Sequence, residues 1–148
     1  MAIAAGGSHT CALNTNSDAQ CWGGNDHDQA PDLTTGPFVA ISAGSTHTCA
    51  INTNSHAQCW GLSDFGQAPT LTTGPFVAIS AGILHTCAIK KDDMVRCWGL
   101  DGSDGRTTVP DGLTARTDHD LWLGEKTQTL IGPIIPIKTK VYLEGALP

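Results

Sequence analysis

The chain has 148 residues, the length of one domain, and a formal net charge of −6. Charged residues make up 15% against a typical quarter, and Lys90 is the first basic residue, so there is no electrostatic footprint for phosphate backbones or anionic lipid. Nucleic-acid binding is not expected, nor is membrane insertion, because no run approaches the roughly 20 apolar residues that span a bilayer.

From the N-terminus, Ile3-Ala4-Ala5-Gly6 leads into His9-Thr10-Cys11-Ala12, then Asn14-Thr15-Asn16-Ser17-Asp18, then Cys21-Trp22-Gly23. This segment returns twice at a constant spacing of 38. His9, His47 and His85 are in register, as are Cys11, Cys49 and Cys87, then Cys21, Cys59 and Cys97, then Trp22, Trp60 and Trp98. A fixed period of roughly 20 to 50 residues marks units that stack or radiate, none of which buries a core alone.

Within each unit the grammar is all-β. Phe76-Val77-Ala78-Ile79-Ser80 is rich in strand formers and follows a Gly-Pro turn signal; Ala-Gly then ends the run and His85-Thr86-Cys87-Ala88-Ile89 begins another. The Asx- and Ser-rich segments at 14–18, 52–56 and 90–94 predict tight turns, because such side chains hydrogen-bond the local backbone. Ala-Gln-Cys-Trp-Gly, or Val95-Arg96-Cys97-Trp98-Gly99 in the third unit, is the return strand, and a loop rich in Gly, Asp and Pro closes each repeat. No helical periodicity is present in residues 1–100.

After Gly99 the register loosens. Val109-Pro110-Asp111-Gly112-Leu113-Thr114-Ala115 resembles the start of a degenerate fourth unit, but Arg116 falls where Ile41 and Ile79 sat and no Cys pair follows. Further on, Ile137, Thr139, Val141 and Leu143 alternate with Lys138, Lys140, Tyr142 and Glu144, the period of a half-buried strand. The expected organisation is therefore three tandem units over residues 1–115 (about 1–38, 39–76 and 77–115), followed by an extended arm over 116–148.

The cysteines carry most of the chemistry. Cys49 and Cys59 lie on successive strands, roughly equidistant from the turn between them, so they can face each other across a hairpin. The same holds for Cys11 with Cys21 and Cys87 with Cys97. A disulfide at each position closes a loop of about ten residues and contributes on the order of 2–3 kcal/mol in the chain-entropy model. Reduced packing thiols are the alternative. A zinc reading also exists, since His47 and Cys49 alternate onto one strand face with Cys59 opposite. No fourth ligand recurs and no Cys-x-x-Cys is present, so neither metal nor cofactor is expected. The three pairs point to an oxidising compartment, extracellular or at a virion surface, although no signal-peptide pattern precedes the first repeat. A removed leader, a virion part exposed after lysis, or thiols that stay reduced would each reconcile the two.

Asp26-His27-Asp28 and Asp101-Gly102-Ser103-Asp104-Gly105 lack the ligand spacing of a calcium loop. Trp122, outside the repeat, is a candidate for stacking on a surface glycan. The chain has no Gly-x-Ser-x-Gly, no phosphate loop and no persuasive carboxylate pair, so no catalytic residue is expected.

The pattern Ala-Gly-x-x-His-Thr-Cys-Ala-Ile, then Cys-Trp-Gly, then Gly66-Gln67, resembles the regulator of chromosome condensation repeat over residues 1 to about 115. The resemblance implies a β-propeller, which in that family usually has about seven blades with its chain ends interlocked. Members include a nucleotide exchange factor for a small nuclear GTPase and a secreted bacterial inhibitor of β-lactamases. It also implies that His9, His47 and His85 are structural, hydrogen-bonding within each blade, and that Trp22, Trp60 and Trp98 fill the core between blades.

Three units leave open edges and apolar faces, so copies of the chain are the expected partners, closing a ring or stacking into a filament. The strand at 137–143 is the candidate to pair with a neighbour's edge. The expected role is a non-enzymatic structural or adhesive subunit of a homo-oligomeric extracellular or virion assembly. The alternative is a protein-binding propeller fragment, an inhibitor or receptor-type module that grips another protein through its inter-strand loops.

Overall fold

Among the described residues, nine β-strands form three antiparallel sheets of three, each built from one sequence repeat. The computed structural model describes residues 1–114, which fall within one compact unit, Met1–Thr117. The strand expected at Ile137, Thr139, Val141 and Leu143, the arm that contains it, and Trp122 lie outside the described residues. Among the described residues there is no helix, and so none long and apolar enough to cross a membrane.

The first sheet comprises β1 (Ile3–Ala5), β2 (His9–Leu13) and β3 (Ala19–Gly23). The second comprises β4 (Phe38–Ala43), β5 (His47–Asn52) and β6 (Ala57–Gly61). The third comprises β7 (Phe76–Ala81), β8 (His85–Lys90) and β9 (Val95–Gly99). The middle strand of each sheet pairs with both neighbours, as in a propeller blade.

Local chemistry explains the hairpins. Asn14 Oδ1 accepts hydrogen bonds from the backbone N–H groups of Asn16 and Asp18, and Asn52 Oδ1 does the same for Asn54 and His56. These Asx turns hold Ser17 and Ser55 at positive φ, and Asp93 takes the same conformation in the third hairpin, where Lys90 replaces the asparagine; short polar residues adopt it at low cost. Turn placement fixes the register, so Cys11 lies opposite Cys21, Cys49 opposite Cys59, and Cys87 opposite Cys97.

A register shift in β4 between Phe38 and Ala40, and its equivalent in β7, turns Phe38 and Phe76 into the interior. Burying such a ring contributes about 1.5–3 kcal/mol. A single extra rung completes the outer edge of each blade: Ala19 with Thr34, Ala57 with Thr72, and Met94 with Thr114. The third rung is displaced because the preceding loop has its own organisation. Asp101 Oδ1 accepts from the amide and hydroxyl of Thr107, which hold its carboxyl below the usual range.

Candidate functional site

The chemistry of this molecule sits between its blades. Each blade has a leading face, toward the preceding repeat, and a trailing face, toward the following one; alternation along each strand sends successive side chains to opposite faces. In β2, His9, Cys11 and Leu13 point to the trailing face and Thr10 and Ala12 to the leading face. The same alternation runs through β5 and β8.

A polar relay crosses each internal interface. Thr48 Oγ1 donates to the carbonyl oxygen of Gln29 at 2.9 Å, so the hydroxyl accepts from Nε2–H of His9 at 2.7 Å. Trp60 Nε1 donates to the same carbonyl at 3.2 Å. One repeat later, His47 Nε2 lies 2.8 Å from Thr86 Oγ1, which donates to the Gln67 carbonyl at 3.0 Å, and Trp98 Nε1 donates there at 3.2 Å. The hydroxyl has one proton, which goes to the carbonyl, so Nε2 of both His9 and His47 carries the donated hydrogen.

Burial keeps these rings neutral. His9 is held below its ordinary pKa by desolvation, and His47 is pushed down to about 4 by desolvation, with the flanking His9 and His85 adding to the effect. Glycine backbone packs against the rings. A Cβ on Gly44 would meet His47 Cε1 at 2.5 Å and collide with the Gly82 carbonyl oxygen. The expected hydrogen bond within each blade is thus corrected: His9 and His47 reach across to the next blade.

Apolar contacts complete the interface. Leu13 and Ala19 of the first blade pack with Phe38 and Ala50 of the second, with Ile41 and Trp60 against them. Ile51 and Ala57 repeat this with Phe76 and Ala88, joined by Ile79 and Trp98. Phe38 meets Trp60 at a ring separation of 6.0 Å, and Phe76 meets Trp98 at 5.9 Å. Beneath the rings lie disulfides with S–S distances of 2.08 Å for Cys11–Cys21 and 2.09 Å for Cys49–Cys59; Cys87–Cys97 is bonded at 2.05 Å. Bonded to each other, these sulfurs offer no thiolate to a metal, and no group of three candidate ligands exists among the described residues.

Among the described residues the interface is used twice, and strand burial shows it. From His47 through Ile51, β5 is buried at every position. In β2 the trailing residues are buried and the leading ones half-buried; in β8 the phase inverts, with Thr86 and Ala88 buried and His85, Cys87 and Ile89 half-buried. The leading face of the first blade leaves Trp22 53% and Ile3 70% exposed. Trp22 is therefore not inter-blade core, unlike Trp60 and Trp98, because no blade precedes it among the described residues. The trailing face of the third blade has an apolar cavity of about 270 Å³ whose lining includes Ala78, Cys87, Ile89 and Val95.

Sequence reasoning assigned no role to Thr48, Thr86, Gln29 or Gln67. Their signal was the recurrence of Thr after each repeated His and of Gln at the same 38-residue spacing.

The regulator of chromosome condensation (RCC1) repeat model matches residues 2–29, 38–67 and 76–106. No curated protein sequence matches the chain at a significant level. Among solved structures, the CRINKLY WD40 ectodomain of the receptor kinase ACR4 from Arabidopsis thaliana is 33% identical, with a TM-score of 0.53 over 66% of this chain and 35% of that one. Yeast RCC1 (Prp20), solved bound to Kap60, superposes at 17% identity and a TM-score of 0.59 over 68% of this chain and 32% of its own. The C-terminal domain of gp131 from bacteriophage phiKZ does so at 15% identity and a TM-score of 0.55, over 78% and 40% respectively. These last two likenesses show the fold alone. The chain spans about a third of the length of the first two structures.

Proposed function

The chain belongs to the regulator of chromosome condensation repeat family, and from that premise we propose that it is a non-catalytic, protein-binding propeller segment that works as a self-associating structural subunit. The observation that carries this reading is the phase inversion of burial between β2 and β8, which among the described residues leaves half an interface at each end of the blade stack. An apolar end such as Trp22 with Ile3 is an aggregation hazard unless something covers it. Three disulfides support a site of action in oxidising surroundings, extracellular or on a virion, and the 33% identity to a receptor ectodomain supports the extracellular placement.

Sedimentation velocity on the oxidised full chain tests this. Concentration-dependent species at multiples of 15.4 kDa are expected, and a monodisperse monomer across the concentration range overturns the reading.

A second reading, a loop surface that grips a different protein, draws on the exposed Leu33, Phe65 and Leu71 in the loops between blades. On that reading F65S and L71S together abolish binding to the partner without changing the sedimentation of the free chain.

A further inference from the structure

We infer that the two terminal faces are the two halves of one interface, so that the leading face of one copy, with Thr10, Trp22 and Ile3, docks head to tail on the trailing face of a second copy, with His85, the Cys87–Cys97 bridge and Ile89. This rests on the self-association proposed above and specifies its geometry. The two internal interfaces are independent realisations of the same contact, 38 residues apart. Their dimensions agree closely: 2.7 and 2.8 Å from His to Thr, and 3.2 Å in both from Trp to the Gln carbonyl. Moving the same contact one further repeat leaves His85 as a donor in need of a hydroxyl, and Thr10 is the equivalent hydroxyl at the other end.

The halves are complementary rather than alike. The trailing face of the third blade is concave, with its cavity of about 270 Å³, and the leading face of the first blade projects Trp22 and Ile3. A two-fold pairing of like faces would set Trp22 against Trp22 and leave the cavity and His85 unused, so the contact is heterologous. Charge discriminates more weakly. The first repeat contributes Asp18, Asp26, Asp28 and Asp32 with no Lys or Arg, whereas Lys90, Lys91, Arg96 and Arg106 of the third nearly balance Asp92, Asp93, Asp101, Asp104 and Asp111. Two first-blade ends therefore repel each other more than a first-blade end and a third-blade end do.

A complementation experiment reads this directly. W22A damages only the leading face and I89E only the trailing face; V95K takes the place of I89E should that variant fail to show the wild-type circular dichroism spectrum. Each variant alone is expected to sediment as a monomer at concentrations where the wild-type chain assembles. Mixed one to one, they are expected to form a dimer of twice 15.4 kDa that does not grow, because the mixture has one intact pair of faces and two spent ones. If both variants assemble like the wild type, self-association stands and this pairing of faces is overturned. If the variants are monomers but the mixture does not pair, the contact is not heterologous and the inference falls. A wild-type chain that is itself monomeric, with the trailing face covered by some other occupant such as the chain's own residues 118–148, overturns both readings.

Discussion

The middle and outer strands of the stack carry nearly the same sequence and live in different environments. β5 and β8 share His-Thr-Cys-Ala-Ile, yet His47, Cys49 and Ile51 are sealed while His85, Cys87 and Ile89 are half-buried. β2, with His-Thr-Cys-Ala-Leu, is the mirror case, buried on the face that β8 leaves open. What differs is the neighbour, not the residue. In a repeat protein a side chain's energetic value is set by whether the adjacent unit is present.

Reduction should produce the largest effect that sharpens this contrast. Each bridge contributes on the order of 2–3 kcal/mol, so losing all three is expected to abolish cooperative folding at ambient temperature, which loss of the chemical denaturation transition would register. The order of reduction carries the comparison: the Cys87–Cys97 bridge, on the half-open face, is expected to be alkylated before Cys49–Cys59 in a timed mass-spectrometric series.

Core truncation comes next. I51A removes a side chain sealed between two blades and is expected to cost about 3 kcal/mol, whereas I89A in the isolated chain is expected to cost about 1 kcal/mol. Equal losses in urea titrations would break the comparison. The polar relay is a finer test. T48V leaves the His9 donor without its partner in a buried site and is expected to cost about 1–3 kcal/mol, while T10V in the isolated chain stays within about 0.5 kcal/mol because Thr10 faces no blade among the described residues.

The pH response is the smallest and most specific effect. His47 has its pKa lowered from 6.5 to about 4, so between those values the unfolded chain binds the proton and the folded chain does not. Its contribution is fully present above pH 6.5, declines as the pH falls toward 4, and levels off below. His9, also depressed, declines in the same direction. H47Q should flatten that decline in melting temperature, and a variant with the wild-type slope would contradict the assignment.

Much of the architecture was legible because it depends on local rules. The Asx turns at Asn14 and Asn52 set the hairpins, the hairpins set the strand register, and the register brings each cysteine opposite its partner. The His–Thr relay was not legible, since it joins side chains 39 residues apart whose approach depends on how one sheet packs on the next. The exposure of Trp22 was hidden for the same reason: its Cys-Trp-Gly context is identical to that of Trp60, and only the absence of a neighbouring blade among the described residues distinguishes them. The displaced rung from Met94 to Thr114 escaped notice because Asp101 organises its loop through Thr107 and Thr108, a pattern that has no counterpart in the first two repeats.

Hydroxyl-radical footprinting across a concentration series tests the central claim most directly, because it reads the four key side chains in one sample. Labelling of Trp22 and Ile89 is expected to fall together as copies associate, while Trp60 and Ile51 stay weakly labelled throughout. Association that leaves Trp22 and Ile89 as reactive as in the dilute chain would contradict the account.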